Sequence, residues 1–147
     1  MGLREARRDE VRRIVEMLID DQLGQSREDP SDLTPYLQGF DAIAADPLNT
    51  QYVWEENGEV VGCLQLTVIP GIAQQGMWRA QIEGVRVSGA QRGTGVGHKM
   101  MQAVMAIARE RGCAVLQLTT NKVRKDAQRF YEQLGFEKSH EGMKVKL

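Results

Sequence analysis

Apolar and polar residues alternate along the middle of the chain and predict three strands. Residues 51–55 and 59–69 flank Asn57-Gly58, a pair that favours a type I′ hairpin turn because both of its residues adopt positive φ at low cost. The third run covers residues 77–87 and contains Gly84. A glycine inside a strand predicts a β-bulge, which would re-aim the side chain of the preceding Glu83.

Apolar residues at helical spacing predict four helices, within residues 9–24, 34–46, 95–111 and 126–135. Asp9, Thr34 and Asp126 are the expected N-caps, because short polar side chains accept hydrogen bonds from the first free amides of a helix. Short apolar runs add strands at 3–6 and 114–118, and Phe136 and residues 143–147 are expected to form two edge strands. Strand 77–87, helix 95–111 and strand 114–118 together predict a right-handed parallel crossover.

Composition is that of an ordinary globular domain, with 147 residues, 41% hydrophobic and 27% charged. We therefore expect a single domain over residues 1–147 with a continuous core. The charged N-terminus is unlike a signal peptide, and no apolar run approaches the length that spans a membrane. We expect a cytoplasmic protein without a membrane partner, in which Cys63 and Cys113 are buried free thiols.

A glycine-rich turn separates the third strand from helix 95–111. Gly93, Gly95 and Gly97 come just before the amphipathic pattern of that helix, and Arg92 adds a cation beside them. The first amides of a helix have no partners within it, and the helix dipole adds partial positive charge, so this end can bind an anion. Because short glycine patterns are weak evidence alone, the turn is either a phosphate cradle or a flexible connection.

Two nucleotide-binding motifs fit this turn poorly. A P-loop requires G-x-x-x-x-G-K-[ST], but Lys99 is one place late and is followed by Met100. A dinucleotide fingerprint requires G-x-G-x-x-G in a first βαβ unit, whereas this turn has G-x-G-x-G in the second half of the chain. Residues 91–97, Q-R-G-T-G-V-G, instead resemble the acetyl-CoA pyrophosphate motif of the GNAT superfamily of N-acetyltransferases, Q/R-x-x-G-x-G/A.

A second stretch resembles the other signature of the same superfamily. Residues 121–136, N-K-V-R-K-D-A-Q-R-F-Y-E-Q-L-G-F, match N-x-x-A-x-x-F-Y-E-x-x-G-F loosely, with a longer spacing from Asn121 to Ala127. Phe130 and Tyr131 alone would indicate core packing, as aromatic residues at helical spacing usually do. The two motifs occur in the expected order, and the resemblance covers roughly residues 81–136.

The resemblance implies an α/β (α+β) fold, with a mixed, mostly antiparallel central sheet flanked by helices. The sheet would open at the parallel crossover, where the pantetheine of the co-substrate acetyl-CoA enters, and no metal is implied. Strand residues 85–87 would pair with pantetheine, the turn amides would hold the pyrophosphate, and Asn121 would reach the cofactor from the opposite strand. The residues implied to bind the cofactor are Val85, Arg86, Val87, Gln91, Arg92, Gly93, Thr94, Gly95, Val96, Gly97, Asn121, Ala127 and Phe130.

The implied reaction is direct transfer of the acetyl group to an amine. A neutral amine attacks the thioester carbonyl, a backbone amide stabilises the oxyanion, and the departing thiolate takes a proton. Tyr131 would sit beside the cofactor sulfur and is the candidate acid, because phenols and thiols have broadly similar basicity. Glu83 is the candidate base, directly or through water, or else an exposed strand carboxylate. His98 is expected to be a surface or phosphate neighbour, and His140 a turn residue or a border of the acceptor pocket.

The net charge of −1 is unevenly distributed along the chain. Residues 86–129 contain nine Lys and Arg against two acidic residues, and the remainder contains ten against eighteen. A basic half suits the polyanionic head of CoA, and an acidic half would attract a cationic acceptor. The acidic residues between the first two helices are Asp20, Asp21, Glu28, Asp29 and Asp32. Solvated surface charge is the alternative, and nucleic-acid binding is not favoured in so acidic a chain.

The expected acceptor is an amine of a small molecule or a peptide. A homodimer is compatible with the resemblance, since dimers are frequent in this superfamily. Two other functions stay open. One is a catalytically idle acyl-CoA-binding module that senses the cofactor or serves a partner protein, although the presence of both Glu83 and Tyr131 favours an enzyme. The other is a nucleotide-dependent phosphotransferase.

Overall fold

Five strands form one sheet, in the order β1-β2-β3-β4-β5, within the residues 2–21 and 23–147 that this computed structural model describes. The strands are β1 (Gly2–Glu5), β2 (Asn49–Glu56), β3 (Glu59–Ile69), β4 (Trp78–Val87) and β5 (Cys113–Gln117). The first four strands pair antiparallel, and β4 pairs with β5 in parallel. The mixed, mostly antiparallel sheet expected from the sequence is confirmed.

Helical segments connect the strands. They are α1 (Val11–Ile19), α2 (Gly24–Arg27), α3 (Thr34–Ala45), α4 (Ala73–Gly76), α5 (Val96–Glu110) and α6 (Lys125–Gln133), with 3₁₀ turns at Arg8–Glu10 and Gly89–Gln91. The single turn α4 contains two residues with positive φ, Gln74 and Gln75. None of the helices in the described parts of the chain is long and apolar enough to cross a bilayer.

Helices cover the sheet on both faces. On one face Ile14 and Met17 of α1 are buried against Val53 and Cys63. On the other face, the larger cluster joins α5 to the central strands, and its fully buried members include Leu64, Leu66, Ile82, Met100, Met101 and Val104. Burial alternates only in the second half of β3, whereas residues 61–64 are buried consecutively because helices cover both faces of the sheet.

The predicted hairpin and bulge are both present. Asn57 and Gly58 have φ values of 50° and 80°, as a type I′ turn requires. Gly84 has a φ of 59°, and the register places Arg86 opposite Cys63 but Glu83 opposite Gln65. One extra residue therefore lies on β4 between Glu83 and Arg86.

The first helix is shorter than predicted and is capped differently. Asp9 is not its N-cap: it lies in the 3₁₀ turn that precedes α1, and the Glu10 carboxylate accepts the Arg7 amide at 2.8 Å. Gly24 begins α2 instead of ending α1. A Cβ at Gly24 would lie 1.8 Å from the Leu18 carbonyl oxygen, so this glycine permits a close approach of two backbones.

The caps of the later helices also differ from the prediction. The residue at the N-cap position of α3 is Leu33, and the Asp32 carboxylate accepts the Thr34 amide at 2.9 Å. Asp126 lies within the first turn of α6, where its side chain pairs with Arg129. Glu10 and Asp32, which lie one and two residues from the predicted caps, thus accept backbone amides. Asp126 lies near the positive end of the dipole of α6.

No strand follows α6 in the part of the chain that the structure describes, so the prediction of two C-terminal edge strands is wrong. Residues 143–147 alternate apolar and basic side chains, but Met143, Val145 and Leu147 are exposed. Without a neighbouring segment to pair with their backbone, alternation alone does not form a strand. The strand β5 is consequently an edge strand, and Ala114 and Val115 are exposed where a buried strand was expected.

An ion-pair network ties β1 to the start of α1. The Arg4 guanidinium donates to both oxygens of the buried Glu10, at 2.9 and 2.7 Å, and to Glu55 at 2.8 Å. The hydrogen bonds from Arg4 lower the pKa of Glu10 to about 2, against the opposing effect of burial. A carboxylate with a lowered pKa stabilises the fold above its unfolded pKa, and this contribution is lost as the pH falls through the folded value.

We therefore expect Glu10→Gln to destabilise the protein by about 2 kcal/mol at pH 7. The variant should also lose less stability than the native chain between pH 4.5 and pH 2, because it no longer carries the titrating group. Urea unfolding at several pH values measures both effects. Asp9→Asn, at an exposed neighbouring carboxylate, is the control. Equal acid sensitivity of Glu10→Gln and the native chain would contradict the assignment.

Candidate active site

Free amides gather at the N-terminus of α5. Gly95 is its N-cap, with a φ of 89°, and Gly93 has a φ of 81°, conformations that favour glycine because it has no Cβ. Among the described residues, no acceptor lies within hydrogen-bond reach of the amides of Gly95, Val96 and Gly97. Together with the dipole of a 15-residue helix, these amides form a site for an anion.

The third glycine of the turn has a packing role. A Cβ at Gly97 would lie 3.1 Å from Cζ of Phe130, so glycine lets α6 approach α5. The Phe130 ring also makes edge contacts with His98 and Tyr131, at centroid distances of 5.4 and 5.2 Å. Phe130, expected among the cofactor-binding residues, is placed by the structure between the two helices.

Side chains of the turn are engaged within the protein. The Thr94 hydroxyl donates to the Gln91 carbonyl at 2.5 Å and also lies 3.3 Å from the Gln91 side chain. Arg92 donates to the Asp20 carbonyl at 3.0 Å, and its guanidinium lies 3.5 Å from the Asp20 carboxylate. The turn therefore offers its backbone to a ligand, while Arg92 links it to the end of α1.

The sheet opens directly beside this turn. Pairing between β4 and β5 ends at Gln81 and Gln117, while β4 continues to Val87 along β3. Val85 and Val87 have no strand partner on the β5 side among the described residues. The edge of β4 from the bulge to Val87 therefore faces a gap that leads to the N-terminus of α5.

Glu83 lies at the mouth of this gap, on an exposed stretch of β4. Its carboxylate accepts a hydrogen bond from Gln81 at 2.8 Å, and the Gln81 side-chain oxygen accepts from Gln117 at 2.9 Å. This ladder crosses from β4 to β5 at their last paired position. Gln81 and Gln117 carry no local signal in the sequence, because only the register of the parallel pair brings them together.

Tyr131 lies in a half-buried aromatic group at the same end of α5. Its ring makes edge contacts with Phe130 and Phe136, the latter at a centroid distance of 5.5 Å. Burial raises the pKa of the Tyr131 hydroxyl, and the positive charges of Arg86 and Arg124 only partly offset this rise. The hydroxyl is therefore protonated at neutral pH, the state that a general acid requires.

Two arginines share one carboxylate beside Tyr131. The Asp21 carboxylate lies 3.0 Å from the Arg86 guanidinium and 2.6 Å from that of Arg124. Burial acts to raise the pKa of Asp21, but hydrogen bonds from the Leu23 amide and Arg124 outweigh it, and the pKa is lowered. A cavity of about 300 Å³ adjoins this group. Arg86 was expected to bind the cofactor and Asp21 to belong to an acidic loop, but no local spacing relates these two residues to each other or to Arg124, which are distant along the chain.

The loop before α6 is held by its own side chains. The Asn121 side-chain oxygen accepts the Val123 amide at 3.1 Å, and Gln128 donates to the Asn121 carbonyl at 3.3 Å. Asn121, expected to reach the cofactor, thus shapes this loop with its side-chain oxygen, and Ala127 lines the cavity. His140 is exposed, with Nδ1 2.6 Å from the Ser139 hydroxyl.

The acidic residues between α1 and α3 have partners within the protein. Asp20 and Asp21 pair with arginines. Asp29 and Asp32 accept amides of their own loop, and Glu28 accepts the Tyr36 hydroxyl. Asp20 and Asp21 are therefore neutralised by arginines, whereas Glu28, Asp29 and Asp32 keep their negative charge because amide and hydroxyl donors are neutral. The expectation that acidic residues of this segment attract a cationic acceptor stays a prediction that only the last three can support.

The two cysteines are free. Cys63 is fully buried, and burial raises the pKa of its thiol to about 12, so it is inert as a nucleophile. Cys113, expected to be buried, is only half-buried at the start of β5. No group of three His, Cys, Asp or Glu residues in 2–21 and 23–147 is arranged to hold a metal ion.

Known proteins are similar to this chain in sequence, in fold or in both. An aminoalkylphosphonate N-acetyltransferase from Salmonella typhimurium is 33% identical over 110 residues, which cover 74% of this chain and 70% of that protein. The crystal structure of a transcriptional regulator from Bacillus halodurans C-125 is 45% identical, with a TM-score of 0.93 over 99% of this chain and 98% of its own. A ribosomal-protein-alanine N-acetyltransferase from Brucella melitensis biovar Abortus 2308 shares the fold at 17% identity, with a TM-score of 0.78 and full coverage of both chains.

The family comparison covers the glycine turn, the open sheet edge and the aromatic group together. A model of the acetyltransferase (GNAT) family matches residues 11–136, which include both stretches on which the resemblance was based. The chain therefore belongs to the acetyltransferase (GNAT) family.

Proposed function

We propose that this protein transfers the acetyl group of acetyl-CoA directly to an amine of a small molecule or peptide. The observation that carries this proposal is the continuity of three features. The free amides of α5 adjoin the unpaired edge of β4, and Tyr131 lies at the same end of the helix, in contact with Phe130. Family membership supports acetyl transfer, and the related Salmonella enzyme is named for an amine acceptor.

The chain offers matching groups for each part of acetyl-CoA. The amides of Gly95, Val96 and Gly97 would hold the pyrophosphate, because they are free and lie at the positive end of a helix dipole. The backbone of Val85 and Val87 would pair with the pantetheine amides along the gap. When bound, acetyl-CoA supplies an activated acyl group as a thioester.

Two side chains would donate and accept the protons of the reaction. The protonated hydroxyl of Tyr131 would donate a proton to the leaving thiolate. The Glu83 carboxylate, oriented by Gln81, would accept the proton of the attacking amine, directly or through water. Glu83 lies directly before the Gly84 bulge, where the pairing register between β3 and β4 shifts.

We expect Glu83→Gln to reduce kcat/KM by about 10²-fold or more. Glutamine keeps the size and the hydrogen bond from Gln81 but cannot take a proton. Steady-state rates between pH 5 and pH 10 test this prediction, with Glu59→Gln on the exposed end of β3 as control. A change confined to KM would mean that Glu83 only binds the acceptor.

Release of free CoA thiol from acetyl-CoA, followed across a panel of small amines and peptides, tests the proposed function itself. Amine-dependent release supports the enzyme. A second candidate is a non-catalytic acyl-CoA sensor, favoured by the name of the 45% identical Bacillus halodurans protein. In that case acetyl-CoA would stabilise the fold, but no amine would accelerate release of the thiol.

A further inference from the structure

The carboxylate of Asp21 stands between two guanidiniums that are largely removed from water. The exposed fractions of the side chains are 15% for Asp21, 18% for Arg86 and 24% for Arg124. A buried charge is costly unless it is compensated, and here one negative charge faces two positive ones. The group therefore keeps one uncompensated positive charge.

The donors of this group are not saturated. One guanidinium nitrogen of Arg86 donates a hydrogen bond to the Val85 carbonyl at 2.9 Å. The buried Nε of the same side chain has no hydrogen-bond partner among the described residues. Arg124 and Lys125 line the adjoining cavity together with Leu23. Asp126 also lines it but is paired with Arg129. The lining carries two cations, Arg124 and Lys125, and two carboxylates, Asp21 and Asp126. Because these carboxylates also pair with Arg86 and Arg129, which lie outside the lining, the surroundings of the cavity are net positive.

This group also lies close to the reacting centre. Arg86 follows Glu83 on β4, just beyond the bulge, and both guanidiniums act on the hydroxyl of Tyr131. An anion bound by the arginines would therefore lie within electrostatic range of the candidate acid and beside the strand that carries the candidate base. A small molecule with an anionic group and an amine a few bonds apart could reach both.

We propose that Arg86 and Arg124 bind the anionic group of the acceptor, so that the substrate is a small amine carrying a phosphonate, phosphate or carboxylate. This inference rests on the proposed function, whose site it extends. Guanidinium groups bind such oxyanions through paired, charge-assisted hydrogen bonds. The name of the Salmonella relative, which describes an amine with a phosphonate group, is in accord with this chemistry. Asp21 holds the two guanidiniums together in the absence of the acceptor.

The preference for an anionic acceptor can be measured with two-carbon amines that differ only at the far end. These are 2-aminoethylphosphonate, β-alanine, ethanolamine and 1,2-diaminoethane. We expect kcat/KM for 2-aminoethylphosphonate to exceed that for ethanolamine by about 10-fold or more. Comparable rates for β-alanine would show that the site accepts carboxylates as well, which supports the same class of acceptor.

Variants of the group should change this preference in opposite directions. Arg124→Gln should lower the ratio of kcat/KM for 2-aminoethylphosphonate over ethanolamine by about 10- to 100-fold. Asp21→Asn should raise the ratio, because it removes the negative charge that competes with the acceptor. Any change in the field at Tyr131 affects both amines alike and cancels in the ratio. If the ion pairs are purely structural, both variants should be less stable, and the ratio should not change in opposite directions.

Two further variants serve as controls for this comparison. Arg8→Gln removes one arginine of an exposed ion pair with Asp41, far along the chain from the cavity, and should leave the ratio unchanged. Arg124→Lys keeps the charge but loses the planar fork, and should give an intermediate ratio if Arg124→Gln does not fold. The stabilisation by acetyl-CoA shows that each variant has an intact cofactor site.

The outcomes separate the two proposals. A native ratio near one, or a ratio that Arg124→Gln and Arg124→Lys leave unchanged, overturns the anionic acceptor while amine acetylation stands. Turnover of 1,2-diaminoethane above all the other amines does the same. If acetyl-CoA binds but none of the panel or any other amine is acetylated, the proposed function fails and this inference fails with it.

Discussion

Tyr131→Phe should lower kcat by about 10²- to 10⁴-fold, with little change in stability or in acetyl-CoA affinity. The substitution removes one hydroxyl and keeps the ring that contacts Phe130 and Phe136. Because burial raises the pKa of this hydroxyl, it should remain protonated over at least the pH range in which an ordinary tyrosine is protonated. Turnover measured from pH 6 to pH 10 should therefore show no basic limb that belongs to Tyr131.

Tyr52→Phe is the matched control for this variant. Tyr52 is a buried tyrosine of β2 in the same core cluster, and its hydroxyl lies near Arg111, at the opposite end of α5 from Gly97 and Phe130. Its loss should leave kcat nearly unchanged. Full turnover by Tyr131→Phe under conditions where chemistry limits the rate would assign the proton to water or another group, and leave the ring with a packing role alone.

Gly95→Glu should abolish binding of acetyl-CoA and so eliminate turnover. At about a 100-fold excess over Kd, a ligand that binds only the folded state stabilises it by about 2.7 kcal/mol, which would raise the Tm by roughly 5–10 °C. The glutamate places bulk and negative charge where the free amides would meet the pyrophosphate. The variant should unfold cooperatively but show no shift with acetyl-CoA.

The other end of the same helix provides a control for backbone strain. Gly112 has a φ of 82°, close to the 89° of Gly95, and a Cβ at either position meets no atom within 4 Å. Gly112→Glu therefore carries a similar conformational cost, about 1–2 kcal/mol, but should keep the shift. Gly95→Ala separates strain from charge and should retain part of it. An undiminished shift in Gly95→Glu would show that another part of the chain holds the pyrophosphate.

Much of the fold follows from local patterns in the sequence. Alternation around Asn57-Gly58, the glycine in β4 and the helical spacing after Gly95 predict the hairpin, the bulge and α5, and the structure contains all three. Helix ends were predicted less well, because they depend on distant partners. Glu10, for example, lies at the N-cap position of α1 and not within the helix, and its side chain is bound to Arg4 of β1.

The C-terminal segment shows the limit of the same reasoning. The alternation in residues 143–147 resembles that of β3, but a strand also needs a neighbour that satisfies its backbone. β3 has such neighbours on both sides, whereas Met143 and Leu147 are exposed. A pattern of side chains predicts which face would be buried, and not whether a partner is present.

The candidate site was only partly predictable. The glycine turn and Tyr131 lie within continuous motifs, and the gap beside Val87 is implied by the resemblance to the family. The pairing of Asp21 with Arg86 and Arg124, and the ladder from Glu83 to Gln117, arise where separate segments meet in space. Charge counting along the chain does not show that Asp20 and Asp21 pair with arginines, because their partners lie far away in the sequence.

Mass spectrometry of an amine panel incubated with acetyl-CoA labelled in its acetyl carbon decides whether the protein transfers acetyl groups to amines. We expect labelled acetyl on the nitrogen of at least one amine with the native protein, more slowly with Tyr131→Phe, and not with Gly95→Glu. Transfer that proceeds equally in all three proteins, or a native protein that binds acetyl-CoA and labels no amine, would contradict this expectation.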